Sequence, residues 1–332
     1  MGVTNFPNGV FASPMIGAGR LSDIFASGNI YFVNADASRT GNGKSPDRAL
    51  TSITAALSAM SKDGTIYVKP RTTTASAQTY YQEDLVIPLT KPNISIIGCG
   101  ATYGNPSNLT GVQLKPLTVA GHLITVNGAG LNLENLRLTM TGGTALADKC
   151  AVFGGVQSTS IQPQGLTIRG CIFENCDKSH AATNVAAVAV DTSQYVFIED
   201  NFFINCLGGV GVSSITGHAG RTVIRRNIFS GGAEKRDCDI IASLGDAANG
   251  MGFIVDWNIF ADILPAHSGG TTGRWIKITG AGGGMISNNM FASTAATGAN
   301  QWGPTGTQTI IPDTTFFVNN FAADLNGIAA QT

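Results

Sequence analysis

The densest set of residues able to move protons is Glu234-Lys235-Arg236-Asp237-Cys238-Asp239. Two carboxylates beside a guanidinium could cut a glycan by hydrolysis if the carboxyls stood about 5–10 Å apart. Eliminative cleavage of an acidic polysaccharide asks for more. Several carboxylates on adjacent strands must hold Ca²⁺, and an Arg or Lys must act as the base. If the chain is an enzyme, Arg236, Asp237 and Asp239 are its catalytic candidates. The simpler expectation is a solvated loop rim with no catalytic residue, and the balance leans away from an enzyme.

Other candidates are weaker. The stretch "IEDNFF" (198–203) sets Glu199 and Asp200 side by side, and similar words recur as "IRRNIF" (224–229), "VDWNIF" (255–260) and "ISNNMF" (286–291). The residue before the asparagine is Asp200, Arg226 or Trp257 in turn, so a repeated catalytic role fails. "GNGKS" (41–45) mimics a phosphate-binding loop, but Ser38 stands where the first glycine is required and Pro46 follows the serine. His122, His180, His218 and His267 are isolated. The cysteines (Cys99, Cys150, Cys171, Cys176, Cys206, Cys238) lack zinc spacing and read as buried free thiols. No metal and no cofactor is expected. Trp257, Trp275 and Trp302 suit core or interface positions better than sugar stacking.

Composition narrows the class. Of 332 residues only 12% are charged and 42 are glycine, which suits a β-rich body with many tight turns. A net charge of −1 draws the chain neither to nucleic acid nor to an anionic membrane. No apolar run is long enough to span a bilayer. The N-terminus lacks the basic and apolar segments of a secretory signal, so synthesis in a cytoplasm is expected.

The recurring words define a repeat. Asn201, Asn227, Asn258, Asn289 and Asn320 are separated by 26, 31, 31 and 31 residues. Phe203, Phe229, Phe260 and Phe291 follow two positions later, and the shorter last word "FVNNF" offers Phe321. Upstream, Cys171 takes the Asn place and Phe173 the Phe place; "LENLRL" (133–138) keeps the apolar pattern without the Asn. A second short strand precedes each word: "AAVAV" (186–190), "VGVS" (210–213), "DIIAS" (239–243), "WIKIT" (275–279) and "TII" (309–311). A period of this length, built from β-branched and aromatic words, signals one coil of a parallel β-helix per repeat. The asparagines are expected at corners with left-handed backbone angles, bonding up and down the stack. The column Phe173, Phe203, Phe229, Phe260, Phe291 and Phe321 is expected to face the lumen. In the strand preceding the Asn word, the outward positions Asp191, Ser213, Asp239 and Lys277 form no carboxylate column.

The front end has its own pattern. "NIYFVNAD" (29–36) reads as a strand. "SPDRALTSITAALSAM" (45–60) reads as one amphipathic helix, capped by Ser45, with Pro46 in its first turn and Gly64 at its end. It would cover the exposed first edge of the solenoid. "TIYVKP" (65–70), "DLVIP" (84–88) and "NISIIGCG" (93–100) continue as strands. With the later repeats, residues 29–321 resemble right-handed parallel β-helix proteins of the pectate-lyase-like superfamily. That resemblance implies an all-β, single-stranded solenoid with an N-terminal capping helix. It leaves function open, because the superfamily holds lyases, hydrolases, adhesins and virus spikes.

Three regions are expected: an extended arm (1–28), a strand and capping helix (29–64), and the β-helix (65–332). The arm carries only Arg20 and Asp23 as charges and is too apolar for a solvated tail. Its candidate anchoring residues are Val3, Phe6, Pro7, Val10, Phe11, Met15 and Ile16. Its opening "VTNFPNGV" resembles the start of β-helix proteins that tailed phages encode near their capsid genes. The resemblance implies a virion protein made in the host cytoplasm, a capsid decoration (cement) protein bound to the major capsid protein or another virion protein. A homo-oligomer is expected, with a trimer favoured. The alternative is a tailspike that binds or depolymerises a host glycan, and the variable loops 261–273 and 292–308 are the natural contact surfaces.

Overall fold

The computed structural model describes residues 29–71, 79–100, 111–117, 121–140, 150–154, 164–176, 186–191, 195–206, 208–213, 221–230, 238–243, 252–261, 274–279, 284–292, 309–310, 315–324 and 327–330. Within them the chain winds as a parallel β-helix. Three sheets, here A, C and B, hold ten, eight and ten strands among the described residues. Each coil adds one strand to each sheet in turn. Val196–Glu199 joins sheet A, Phe202–Ile204 sheet B and Gly208–Ser213 sheet C. At the C-terminal end Gly327–Ala330 folds back antiparallel on Phe321–Asp324 and covers that edge of sheet B.

Strand alternation sets the lumen. On sheet A the residues Ile66, Ile96, Leu133, Ile168, Ile198, Ile224, Val255 and Ile286 share one register column and are fully buried. On sheet B the matching column is Leu114, Leu138, Phe173, Phe203, Phe229, Phe260 and Phe291. The five rings lie nearly parallel, with centroids 4.8, 4.7, 4.9 and 4.9 Å apart. That spacing is the inter-strand distance itself, so each coil drops its ring onto the last. Burial of each ring stabilises its coil by roughly 1.5–3 kcal/mol.

Phe321 departs from the expected stack. It follows Asn320 directly, so alternation sends it outward, where it pairs in register with Met290 and is 42% exposed. Ala322 is the residue in register with Phe291. Phe317, from sheet A, supplies a ring at 6.5 Å from Phe291 instead.

The asparagines bond up and down the stack as expected, but they are not the residues that take the left-handed angles. The left-handed angles fall one residue earlier, at Asp200, Arg226, Trp257, Asn288 and Asn319, with φ between 52° and 57°. The asparagines themselves are needed for hydrogen bonding. Asn201, Asn227, Asn258, Asn289 and Asn320 are buried at the corner. In each step the Oδ1 of one Asn accepts from the backbone N–H and the Nδ2 of the preceding one, at 2.9–3.0 Å. Nδ2 also donates to a sheet A carbonyl of the coil before, as from Asn258 to Ile224 O at 2.9 Å. Cys171 heads the column: its N–H donates to Asn201 Oδ1 at 2.9 Å, and its thiol lies 3.8 Å from Leu133 O.

The single helix expected over residues 45–60 is broken in two. Pro46–Arg48 is a 3₁₀ turn, and Ser45 makes no side-chain cap there. Ala49 is extended, and Leu50 pairs with the first strand: its N–H donates to Phe32 O at 2.9 Å and its carbonyl accepts from Asn34 N at 2.8 Å. The edge strand thus captures the middle of the segment. The α-helix proper is Ile53–Ala59, capped by Ser52, whose Oγ accepts from Ala55 N at 3.1 Å. It ends at Met60, before Gly64, which opens the next strand. Leu50, Ile53, Leu57 and Met60 are all buried against the stack.

Candidate functional site

The outer face of sheet A and its corner with sheet B carry the richest chemistry among the described residues. Two positions before the Asn column the register aligns Glu134, Arg169, Glu199, Arg225 and Asp256. Charge alternates from coil to coil, so every neighbour about 4.8 Å away along the stack is of opposite sign. Beside this column stand Asp200 and Arg226, turned out by their left-handed angles.

The side chains engage one another. Arg225 Nε lies 2.7 Å from Glu199 Oε1, and Arg226 Nη2 lies 3.4 Å from Glu199 Oε2. Arg226 grips Asp200 with two bonds, 2.7 Å from Nε to Oδ1 and 3.0 Å from Nη2 to Oδ2. Arg169 Nε reaches the same carboxylate at 3.2 Å. In the next coil Asp256 Oδ1 accepts from Ser287 Oγ at 2.8 Å and from Asn288 Nδ2 at 2.9 Å. Partial burial opposes ionisation of Asp200, but the hydrogen bonds and charge of Arg226, helped by Arg169, outweigh it and hold the carboxyl below the usual carboxylate range. A general acid needs the reverse, a carboxyl that keeps its proton near neutrality. A Ca²⁺ site needs carboxylates that converge, whereas arginines separate these. The chemistry this ladder performs well is to tie coils together.

Of the residues singled out for glycan cleavage, Arg236 and Asp237 lie outside the described residues, and Asp239 is described only as part of the sheet C strand Cys238–Ser243. Asp191 and Ser213 share a register column, which continues into Ser243 and Thr279. Lys277 belongs to the column of Ala189, Gly211 and Ile241, so it is not in line with Asp191. The anchoring candidates Val3 to Ile16, the loop residues 262–273 and 293–308, His180, His218, His267 and Trp302 are outside the described residues as well.

Other candidates resolve into structure. In "GNGKS" the Gly43 carbonyl accepts from Phe32 N at 2.8 Å, and the Lys44 ammonium sits 3.6 Å over the Tyr31 ring. A Cβ at Gly43, where φ is +74°, would strike Leu50 and Tyr31, so the glycine serves close packing. His122 stacks on Phe153 at 4.4 Å and its Nδ1 accepts from Cys150 N at 3.0 Å. Cys171, Cys176 and Cys206 are buried free thiols, and Cys150 is buried as well. Burial pushes the Cys171 thiol up to about 12, far from the reactive thiolate form. Trp275 is in the core, whereas Trp257 is 61% exposed.

Sequence reading missed two features of this surface. One is the alternating charge ladder. The other is an apolar outer face in the later coils. On sheet A the outward column runs Thr65, Ser95, Asn132 and Thr167, then changes to Phe197, Val223, Ile254, Met285 and Phe316. On sheet B the outward column from Ile172 onward is Phe202, Ile228, Ile259, Met290 and Phe321.

No protein-family model matches the chain, and no curated protein matches it. Among solved structures, the pectin methylesterase of Aspergillus niger in deglycosylated form aligns over 92% of this chain and 93% of its own, with 14% identity and a TM-score of 0.39. The same enzyme in a penultimately deglycosylated form gives the same values. A likeness this distant carries no argument about activity.

Proposed function

We propose that this chain is a structural protein of a phage particle: a β-helix that decorates the head and is tethered to the capsid by residues 1–28. The observation that carries this reading is the ladder. In the charged column of sheet A and the corner beside it, Glu199 and Asp200 are engaged by Arg169, Arg225 and Arg226. That arrangement favours a rigid body over a catalytic cleft. The apolar segment 1–28, whose first residues resemble those of phage β-helix proteins, supplies the tether.

The test compares the full chain with residues 29–332 on undecorated capsids. The full chain is expected to sediment with the particles, and the truncated one to stay in solution with an unchanged far-UV spectrum. Equal sedimentation of both would remove the tether. The competing depolymerase reading is met by incubating the full chain with host capsule or O-antigen. No new reducing ends or unsaturated uronates are expected. Release of either that disappears in Asp237→Asn, Asp239→Asn would replace the structural reading with the enzymatic one.

A further inference from the structure

The last coils expose apolar side chains on both sides of the corner between sheets A and B. Trp257 at the corner is 61% exposed and Phe316 on sheet A is 73% exposed. Met285, Met290, Val318 and Phe321 are 39–43% exposed around them. These side chains are neighbours by register: Met285 pairs with Phe316, and Met290 with Phe321. At about 150–250 Å² for a large side chain, such exposures leave about 600 Å² open. That is the upper end of what a monomer ordinarily leaves open, about 300–600 Å². It approaches the ~800 Å² that each partner contributes to a standard protein interface.

We infer that this face is where a second copy of the chain packs. Two properties select that occupant. First, the patch reaches the lower end, about 600 Å², of what one side of a specific interface contributes. Second, Asp256 precedes Trp257 and Asp324 ends the strand of Phe321, but the strands Gly284–Ser287, Met290–Ala292 and Thr315–Val318 carry no charged residue. A partner chosen by opposite charge has nothing on them to pair with. When symmetry brings a patch against itself, an uncharged one meets no repulsion, as a closed oligomer requires. The nearest carboxylate along the outer column, Asp256, is held by Ser287 and Asn288. The inference does not depend on the virion assignment, since a self-associating solenoid would use this face on a particle or free.

The experiment measures the mass of the full chain by light scattering from 0.1 to 50 µM, with hydroxyl-radical oxidation of Met285 and Met290 read by mass spectrometry. A mass of two or more chains is expected, with oxidation of both methionines at least tenfold slower than in the dissociated protein. The variant Trp257→Asn, Phe316→Ser, Phe321→Ser is expected to be monomeric with the wild-type far-UV spectrum. Asparagine suits the left-handed corner, because Asn288 and Asn319 already occupy that column. A wild-type monomer throughout the range overturns the inference. So does an assembly that the triple variant leaves intact. A monomer whose methionines become oxidisable only when residues 1–28 are deleted also overturns it, and assigns the face to the chain's own N-terminal segment. Oxidation of the wild type needs no variant to fold, so the inference stays exposed to refutation even if the triple variant is unstable.

Discussion

The coils before Cys171 and those from Asn201 onward meet the same packing demands with different side chains. In the earlier coils Leu114 and Leu138 fill the sheet B side of the lumen, and Leu136 occupies the corner place. In the later ones phenylalanines fill the lumen and asparagines the corner. The corner therefore does not require asparagine at that place. It requires that the backbone groups turned inward find partners. In the earlier coil an amide one residue away holds other carbonyls of the turn: Asn135 Nδ2 donates to Gly98 O at 2.7 Å and to Gly100 O at 2.6 Å. The later coils instead form a continuous amide ladder, in which each Asn depends on the next. The earlier coils are also sealed by a helix, and their outward column on sheet A is polar; the later ones turn apolar outside.

The largest test of this contrast is the ring stack. Phe229 lies between Phe203 and Phe260, so Phe229→Ala removes two ring contacts and leaves a cavity. A loss of about 3–5 kcal/mol is expected, read as a fall in the denaturant midpoint. If the loss is under about 1 kcal/mol, as for an exposed residue, the stack is not a source of stability.

The ladder comes next. Asn258→Leu should copy the Leu136 solution but strand the buried N–H of Asn227 and its Nδ2, both of which donate to Asn258 Oδ1. A cost of about 1–3 kcal/mol is expected, with faster amide exchange at Asn227. An unchanged exchange rate would show that the corner recruits another acceptor.

The helix cap is specific to the earlier coils. The Glu83 carboxylate accepts from Ile53 N at 2.9 Å, Thr54 N at 2.7 Å and Thr54 Oγ1 at 2.6 Å. Glu83→Ala should cost about 1–2 kcal/mol and raise amide exchange in Ile53–Ala59, while Phe229 and its neighbours keep their protection. Loss of protection along the whole stack would contradict the separation of the two regions.

The smallest effect belongs to the ion ladder. Asp200→Asn keeps a residue suited to the left-handed angle and removes the charge. A partly exposed pair contributes less than about 1 kcal/mol, and salt should diminish that further. Asp200 ionises more readily folded than unfolded. Its contribution is therefore complete above the unfolded carboxyl pKa of about 4 and fades as pH falls through the lower folded value. Thermal melts of wild type and variant should differ at pH 7 and converge at strongly acidic pH. A difference that grows in acid would have the wrong sign.

The fold was legible because its signal repeats. Asparagines and phenylalanines at a constant interval report stacked coils, and the register follows within a residue. Phe321 was misread because its word lacks one residue, and in a strand one residue reverses the face. Helix 45–60 was misread because apolar spacing alone cannot show that an edge strand will capture Leu50. The charge ladder was written in the same columns: Arg169, Glu199, Arg225 and Asp256 all lie two places before the corner. Their alternation shows only when they are compared with one another rather than with their chain neighbours. The exposed apolar face was hidden for a different reason. An outward Met285 and an inward Ile286 look alike in sequence until the register assigns them to opposite sides.

The proposed role in a phage head is decided by where the protein sits on the particle. Electron microscopy of particles that carry the chain should show an elongated β-helix on the capsid surface, joined to the shell through density for residues 1–28. Density for the chain at the tail tip, or its absence from the particle, would contradict the account.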